Sequence, residues 1–142
     1  MKKLLFFLAA SFLSATSFAQ SCKVVVDAGG ECVGRWVKTN ANTYTVFGND
    51  EVDVPKKGHK IVVYSAEAGQ GYISCKNPGS VNVRSTPSTS GSKIGTLVYF
   101  EGDMPDFLPC LGKTNGWYKV RLDNGKTGYI RADVVDWSPM GY

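Results

Sequence analysis

The chain has 142 residues, with 16 basic and 12 acidic side chains, a formal net charge of +4 and 43% apolar residues. A chain of this length can bury one moderate core or two small ones. So mild a positive charge does not indicate a nucleic-acid partner, which usually requires a strongly basic face. Between the N-terminal segment and residue 75, no window of ten residues keeps a helical period of apolar side chains, and short alternating runs separated by turn residues follow it, so the sequence predicts an all-β protein.

The N-terminal segment has the pattern of a secretory signal peptide. Lys2 and Lys3 precede an apolar run over residues 4–13, and Ser-Phe-Ala ending at Ala19 is a small-residue cleavage site. The apolar run is too short for a membrane span, which needs about 20 residues. We therefore expect cleavage after residue 19, and a periplasmic or extracellular protein with no membrane span after cleavage. Lipid attachment at Cys22 is the alternative, although the residues before it form a poor lipidation signal.

Residues 20–70 are predicted to form a small β-rich region. Turn residues separate five alternating runs, and the first two runs suggest a hairpin that turns at Gly29-Gly30. A short loop, residues 67–70, then leads to a sixth strand. The predicted strands read CKVVVD, VGRWVKT, TYTVF, EVDVP, HKIVVYS and GYISC.

Four cysteines in a chain that leaves the cytoplasm suggest two disulfides. A zinc site is less well supported, because there is no C-x-x-C pair and a single histidine. Cys75 and Cys110 both fall on predicted strands of one half, which would leave Cys22 to pair with Cys32. That second pair conflicts with the predicted hairpin, in which the two Cα atoms would lie beyond the roughly 7 Å that a disulfide can span. The sequence leaves the connectivity open.

The C-terminal half contains four motifs in a characteristic order. They are VNVRSTPS from Val81, KIGTL, NGWYKVRLDNGK and finally TGYIR, which ends at Arg131. In order and spacing they resemble the bacterial SH3-like domain, a small β-barrel, and we assign that domain to residues 71–142. The preceding β-rich region is either a separate unit or a degenerate second copy of the same barrel. Residues 101–106 depart from the family pattern, which has a short turn at this point.

The last hairpin can be read at the level of single residues. If residues 123–125 form a three-residue loop with a left-handed Gly125, Leu122 pairs with Lys126. A slip by one residue would exchange the two faces, and burial of the apolar residues selects this register. The inner face then contains Tyr118, Val120, Leu122, Gly128 and Ile130. The outer face contains Trp117, Lys119, Arg121, Thr127, Tyr129 and Arg131.

The outer face supplies the candidate ligand-binding residues, because Trp, Tyr and Arg dominate the energy of many interfaces. The candidates are Trp117, Lys119, Arg121, Tyr129 and Arg131, together with Arg84 from the first motif. A competing interpretation is that the two aromatic side chains pack under the long loop of residues 100–110 or against the N-terminal half. For Arg84 the competing interpretation is that it fixes its own loop.

No constellation for catalysis is evident. His59 stands alone beside a turn, no nucleophile motif is present, and the acidic pairs lie in turns without a calcium-loop pattern. We expect neither an enzyme nor a cofactor nor a bound metal. The resemblance implies a secreted, non-catalytic binding module of the cell envelope that recognises cell-wall peptide or glycan, or the peptide of a protein partner. The alternatives are a structural or interaction protein whose groove the N-terminal half covers, and an inhibitor or adhesin that inserts its long loop into a partner.

Overall fold

The short alternating runs of the sequence form twelve β-strands and one 3₁₀ turn (Ala132–Val134) within residues 20–140, the part of the chain that this computed structural model describes. The all-β prediction is confirmed for these residues. The predicted signal peptide, residues 1–19, lies outside them. Within residues 20–140, no helix has the length and apolarity that crossing a bilayer requires.

Five strands form the first sheet, in the order β4-β3-β2-β1-β5, with every pair antiparallel. Val24, Val25 and Val46 are fully buried at its centre. Each strand predicted for this region is confirmed, as is the hairpin of the first two. The strands are β1 (Ser21–Asp27), β2 (Cys32–Thr39), β3 (Thr43–Phe47), β4 (Glu51–Pro55) and β5 (His59–Ser65).

Seven strands form the second sheet, in the order β12-β6-β9-β10-β11-β7-β8, again antiparallel. Its inner face forms the main core, which includes Ile73, Val83, Leu97, Val120 and Ile130. The strands are β6 (Tyr72–Cys75), β7 (Gly79–Arg84), β8 (Lys93–Tyr99), β9 (Phe107–Thr114), β10 (Trp117–Arg121), β11 (Thr127–Arg131) and β12 (Val135–Ser138).

The two sheets share a strand order. When the β7–β8 hairpin is set aside, the second sheet reads β12-β6-β9-β10-β11, in which the last strand of this sheet, β12, lies beside its first, β6. The first sheet read from its other edge, β5-β1-β2-β3-β4, has the same arrangement. This order favours the alternative of a second, degenerate barrel in the N-terminal region, which stays a prediction. The boundary at residues 70 and 71 falls in the connection between the sheets.

A few specific contacts join the first sheet to the second. The hydroxyl of Tyr118 donates a hydrogen bond to Oε1 of Gln20, which lies just before β1. Ala66, which follows β5, is fully buried in the core of the second sheet. A guanidinium N–H of Arg35 donates to Oγ of Ser138 over 3.2 Å. These contacts join the start of β1, the end of β5 and the central strand β2 to the second sheet.

The predicted register of the last hairpin is confirmed. Tyr118 pairs with Ile130, and the N–H of Leu122 donates to the carbonyl of Lys126 over 2.8 Å. Gly125 has a φ of 84°, the left-handed conformation that the three-residue loop requires. The five residues assigned to the inner face are buried, whereas those assigned to the outer face are exposed or half-buried.

Neither predicted disulfide is present, since all four cysteines are free thiols. Cys110 lies opposite Gly71, to whose carbonyl its N–H donates over 2.9 Å, and Cys75 is four residues further along that strand. Cys32 lies opposite Val26, four residues along β1 from Cys22. Four residues of a strand span roughly 13 Å, well beyond the roughly 7 Å limit for the Cα atoms of a disulfide. The strand register therefore separates both pairs.

We expect four free thiols when the protein is isolated without reductant. Burial raises the pKa of all four thiols, which lowers the reactive thiolate fraction. The half-buried Cys22 and Cys32 should react slowly with iodoacetamide in the native protein, and the buried Cys75 and Cys110 only after denaturation. Mass spectrometry of protein that was denatured and alkylated without reduction should show four adducts. Two adducts would indicate one disulfide, and no adducts would indicate two; either result would contradict this prediction.

Candidate functional site

The outer face of the last hairpin is arranged in cross-strand pairs of aromatic and basic residues. Trp117 on β10 lies directly opposite Arg131 on β11, and Lys119 lies opposite Tyr129. On its other side Tyr129 pairs with Arg84 of β7. Because residues opposite each other in a sheet project on the same face, five of the six predicted site residues are brought together across three adjacent strands. Arg121 extends the same face, opposite Thr127.

Two open grooves meet at this face. The larger, of about 900 Å³, is lined by Lys76, Lys113 and Asp136 among others. The smaller, of about 220 Å³, is lined by polar residues of β7 that include Asn82 and Arg84. Three residues line both grooves and so form the ridge between them: Thr89, Trp117 and Arg131. We call this set the Trp117 ridge.

The charges of the two grooves differ. The larger groove has three cations, Lys76, Lys113 and Arg131, and two carboxylates, Asp133 and Asp136. The smaller groove has the guanidinium groups of Arg84 and Arg131, and no carboxylate lines it. Asp133 pairs with Arg131, so the charge that no carboxylate balances in the smaller groove is that of Arg84, beside the half-buried indole of the ridge.

Both arginines already have one partner within the protein. Nη1 of Arg84 donates to the carbonyl of Gly91 over 2.9 Å and so holds the loop of residues 85–92. Nη2 of Arg131 forms a 2.6 Å ion pair with Asp133, an exposed contact in which neither side chain is buried. A guanidinium carries five N–H donors, so each retains donors for a ligand. The loop-fixing role that was weighed for Arg84 is thus present in the structure.

Neither the long loop nor the first sheet covers the Trp117 ridge. Phe100 and Met104 of the long loop are exposed. Met104 and Phe107 instead line a separate small apolar cavity with Tyr72, whose ring meets that of Phe107 edge to face at 5.1 Å. Of residues 20–70, Gln20 alone lines either groove. The ridge is consequently open to a ligand.

Some groove residues have no signal in the sequence. Thr89 belongs to a polar loop and reaches the ridge because Arg84 draws that loop back against β7. Lys76 directly follows β6, and Asp136 lies on β12, the strand that pairs with β6. Neither is close to Trp117 along the chain. Conversely, Lys119, Arg121 and Tyr129 share the outer face but line neither groove. No cluster of three or more potential metal ligands occurs within residues 20–140.

Tyr118 lies directly behind the ridge, and its ionisation should make stability fall at high pH. Burial, followed by the negative charges of Cys110, Glu67 and Asp136, raises the pKa of Tyr118 to about 12. In the unfolded chain the pKa is about 10. The unfolded state therefore loses its proton first, so this contribution is complete below pH 10 and is lost as pH rises from 10 to 12. Urea unfolding of the wild type should show a free energy of unfolding that falls by about 1–2 kcal/mol between pH 10 and 12. This fall should be absent in Tyr118→Phe. Parallel losses in both proteins would contradict the raised pKa.

The four sequence motifs of the C-terminal half fall on β7, β8, β10 and β11 in that order, and the glycine of the last hairpin is left-handed, as predicted. Residues 79–136 match the bacterial SH3 domain family. The predicted resemblance is therefore confirmed for this part of the chain. The matched segment runs from β7 into β12, so β6 and the first sheet lie outside the match. No curated protein matches the chain.

The bacterial SH3 domain is a binding module rather than a typical catalytic fold, and members of the family mediate binding to proteins or to cell walls. All six predicted site residues lie within the matched segment. So do all of the residues that line the smaller groove. The part of the chain that presents the Trp117 ridge is thus the part that matches a family of binding domains.

Proposed function

We propose that this protein is a non-catalytic binding module that recognises the peptide of the bacterial cell wall through the Trp117 ridge. The observation that carries the proposal is the pairing of Trp117 with Arg131 on a ridge between two open grooves, the smaller of which is lined by two arginines and no carboxylate. A peptide carboxylate can accept paired N–H bonds from a guanidinium. The indole offers apolar and stacking area to the adjacent part of the ligand.

The peptide is a better match for this site than the glycan. Stem peptides of the cell wall carry free carboxylates, which suit the two guanidinium groups of Arg84 and Arg131. Uncharged sugars would leave Arg84 without a counter-charge and would depend on the single half-buried indole. The other cations of the outer face, the half-buried Lys119 and the exposed Arg121, would add long-range attraction for an anionic polymer.

The proposal includes export from the cytoplasm. A cell-wall ligand requires a protein that reaches the envelope, and the signal-peptide pattern of residues 1–19 supplies a route. The protein would then act in the periplasm or outside the cell. A protein partner of the same chemistry is the alternative ligand, and it would use the same ridge.

Co-sedimentation with purified peptidoglycan tests the ligand. One sample keeps its stem peptides, and a second has had them removed with an amidase, so that glycan strands remain whose muramic acids each carry the lactyl carboxylate freed by the hydrolysis. We expect the wild-type protein to sediment with the first sample and to stay in solution with the second. Equal retention on both samples would point to the glycan. Retention on neither would contradict cell-wall binding and favour a protein partner.

A further inference from the structure

The two sheets have four edge strands, and β5 is the one that is least protected. An open edge invites another strand, and proteins usually block it with charges, proline or short length. At the opposite edge of the first sheet, β4 contains Glu51, Asp53 and Pro55. In the second sheet β12 has four residues, and on β8 the carbonyl of Val98 accepts the N–H of Asp106 over 3.2 Å. In contrast, β5 has seven residues and no proline, and a single lysine, Lys60, is its only protecting charge.

The hydrogen-bond pattern shows which residues of β5 face outward. The N–H of Ala66 donates to the carbonyl of Gln20 over 2.9 Å, and these residues continue the register in which Ser65 lies opposite Ser21. Hydrogen-bonded and non-hydrogen-bonded pairs alternate along an antiparallel ladder. Even-numbered residues of β5 therefore bond to β1, whereas odd-numbered residues direct their N–H and C=O groups away from the sheet.

The chain itself caps both ends of this outward row. The N–H of His59 donates to the carbonyl of Lys56 over 3.0 Å. At the other end, the N–H of Ser65 donates to Oε1 of Gln70 over 3.0 Å, and the N–H of Gln70 donates to the carbonyl of Ser65 over 3.2 Å. Ile61 and Val63 lie between these caps. Their outward N–H and C=O groups form two unpaired rungs, and the side chain of Val63 is 59% exposed.

The charge around these rungs is positive. Lys57 lies in the turn before β5 and Lys60 is on the strand. The ammonium groups of Lys23 and Lys56 lie elsewhere, 4.9 Å and 5.9 Å from the ring centroids of Trp36 and Tyr44. Of the carboxylates near β5, that of Asp27, opposite His59, already accepts hydrogen bonds from the N–H groups of Gly29 and Glu31, each over 2.9 Å. Glu67, in the turn after β5, is at the far end from Lys57. The lysines at the start of the strand therefore favour a negatively charged partner at that end.

We propose that the β5 edge binds an extended peptide of a partner protein by antiparallel strand addition, with apolar residues beside Val63 and acidic residues beside Lys57 and Lys60. Antiparallel pairing is the more stable of the two orientations, and it places the acidic residues at the C-terminal end of the bound peptide. Main-chain bonds to Ile61 and Val63 provide the attachment, and the lysines provide the selectivity, as in other cases of strand addition. This site is separate from the Trp117 ridge and does not depend on its ligand.

Amide hydrogen exchange of the full chain tests the proposal directly. The probe is an acetylated, amidated peptide, TVTVEE, and the control peptide is TVTVKK. We expect TVTVEE to slow exchange of the Ile61 and Val63 amides and to leave that of Val62, which is already bonded to β1, unchanged. The lysine peptide should bind at least about tenfold more weakly, a difference of roughly 1.4 kcal/mol. If the Ile61 and Val63 amides are protected in the absence of peptide, and if this protection increases with protein concentration, the edge pairs with a second copy of the chain. That result would overturn the proposal.

Two matched pairs of variants complete the test. Val63→Pro removes one outward N–H and no bond to β1, so it should abolish the protection while the protein stays folded, as judged by its urea midpoint. Val63→Thr keeps the N–H and the branched shape and should bind like the wild type. Lys60→Glu should weaken TVTVEE binding, whereas Lys126→Glu in the last hairpin should not. Binding that survives Val63→Pro, or protection at residues outside β5, would contradict strand addition at this edge.

Discussion

Replacing Trp117 by alanine is expected to reduce retention on peptidoglycan about thirtyfold, which corresponds to the roughly 2 kcal/mol lost at an interface hot spot. The indole lines both grooves and stands directly opposite Arg131. Its removal would merge the grooves and expose the guanidinium groups to more water, which weakens their attraction for a carboxylate. Co-sedimentation with peptidoglycan at several protein concentrations gives the ratio of apparent dissociation constants.

A second tryptophan provides the control for this prediction. Trp36 is also half-buried, but it lies on the first sheet, where Nζ of Lys23 is 4.9 Å from its ring centroid and its Nε1 donates to Oγ1 of Thr39. It lines neither groove. Trp36→Ala should therefore keep the wild-type retention. Equal losses for the two variants would indicate a general effect on folding, and no loss for Trp117→Ala would remove the ridge from the binding site.

The sequence predicts best where burial has two discrete alternatives. In the last hairpin, one register buries Ile130 and the other exposes it beside Lys119 and Arg121. The cost of exposing an isoleucine decides between them, and the structure has the buried register. The strands of the first sheet were predictable for the same reason, because turn residues interrupt each alternating run. These patterns are local, and a local pattern can be recognised in a single sequence.

Predictions that depend on distance between strands were less successful. The disulfides were inferred from the number of cysteines and the expected compartment. Neither gives information about the register of β6 with β9. That register sets Cys110 opposite Gly71 and thus far from Cys75. Thr89 was missed for a related reason. Its position at the ridge depends on the hydrogen bond from Arg84 to Gly91, which no spacing rule indicates.

Substituting alanine for Gly128 is expected to destabilise the protein by about 1–3 kcal/mol, the usual cost of overpacking a core. Gly128 lies on the inner face of β11, opposite Val120. An added Cβ would lie 2.4 Å from Cγ1 of Val83 and 3.1 Å from Cδ1 of Ile94. Val83 is fully buried and branched at Cβ, so its side chain has few other rotamers to adopt. Urea unfolding monitored by tryptophan fluorescence measures the loss.

Gly112 on β9 is the matched control, because an added Cβ there meets no atom within 4 Å. Gly112→Ala should keep or slightly raise the stability, since alanine restricts the unfolded chain more than glycine does. The comparison also separates stability from binding. Gly128 is on the inner face and the Trp117 ridge is on the outer face of the same hairpin, so Gly128→Ala should lower the urea midpoint yet leave peptidoglycan retention unchanged under native conditions. A midpoint equal to that of wild type would mean that β7 and β11 are not packed as tightly as the 2.4 Å approach requires.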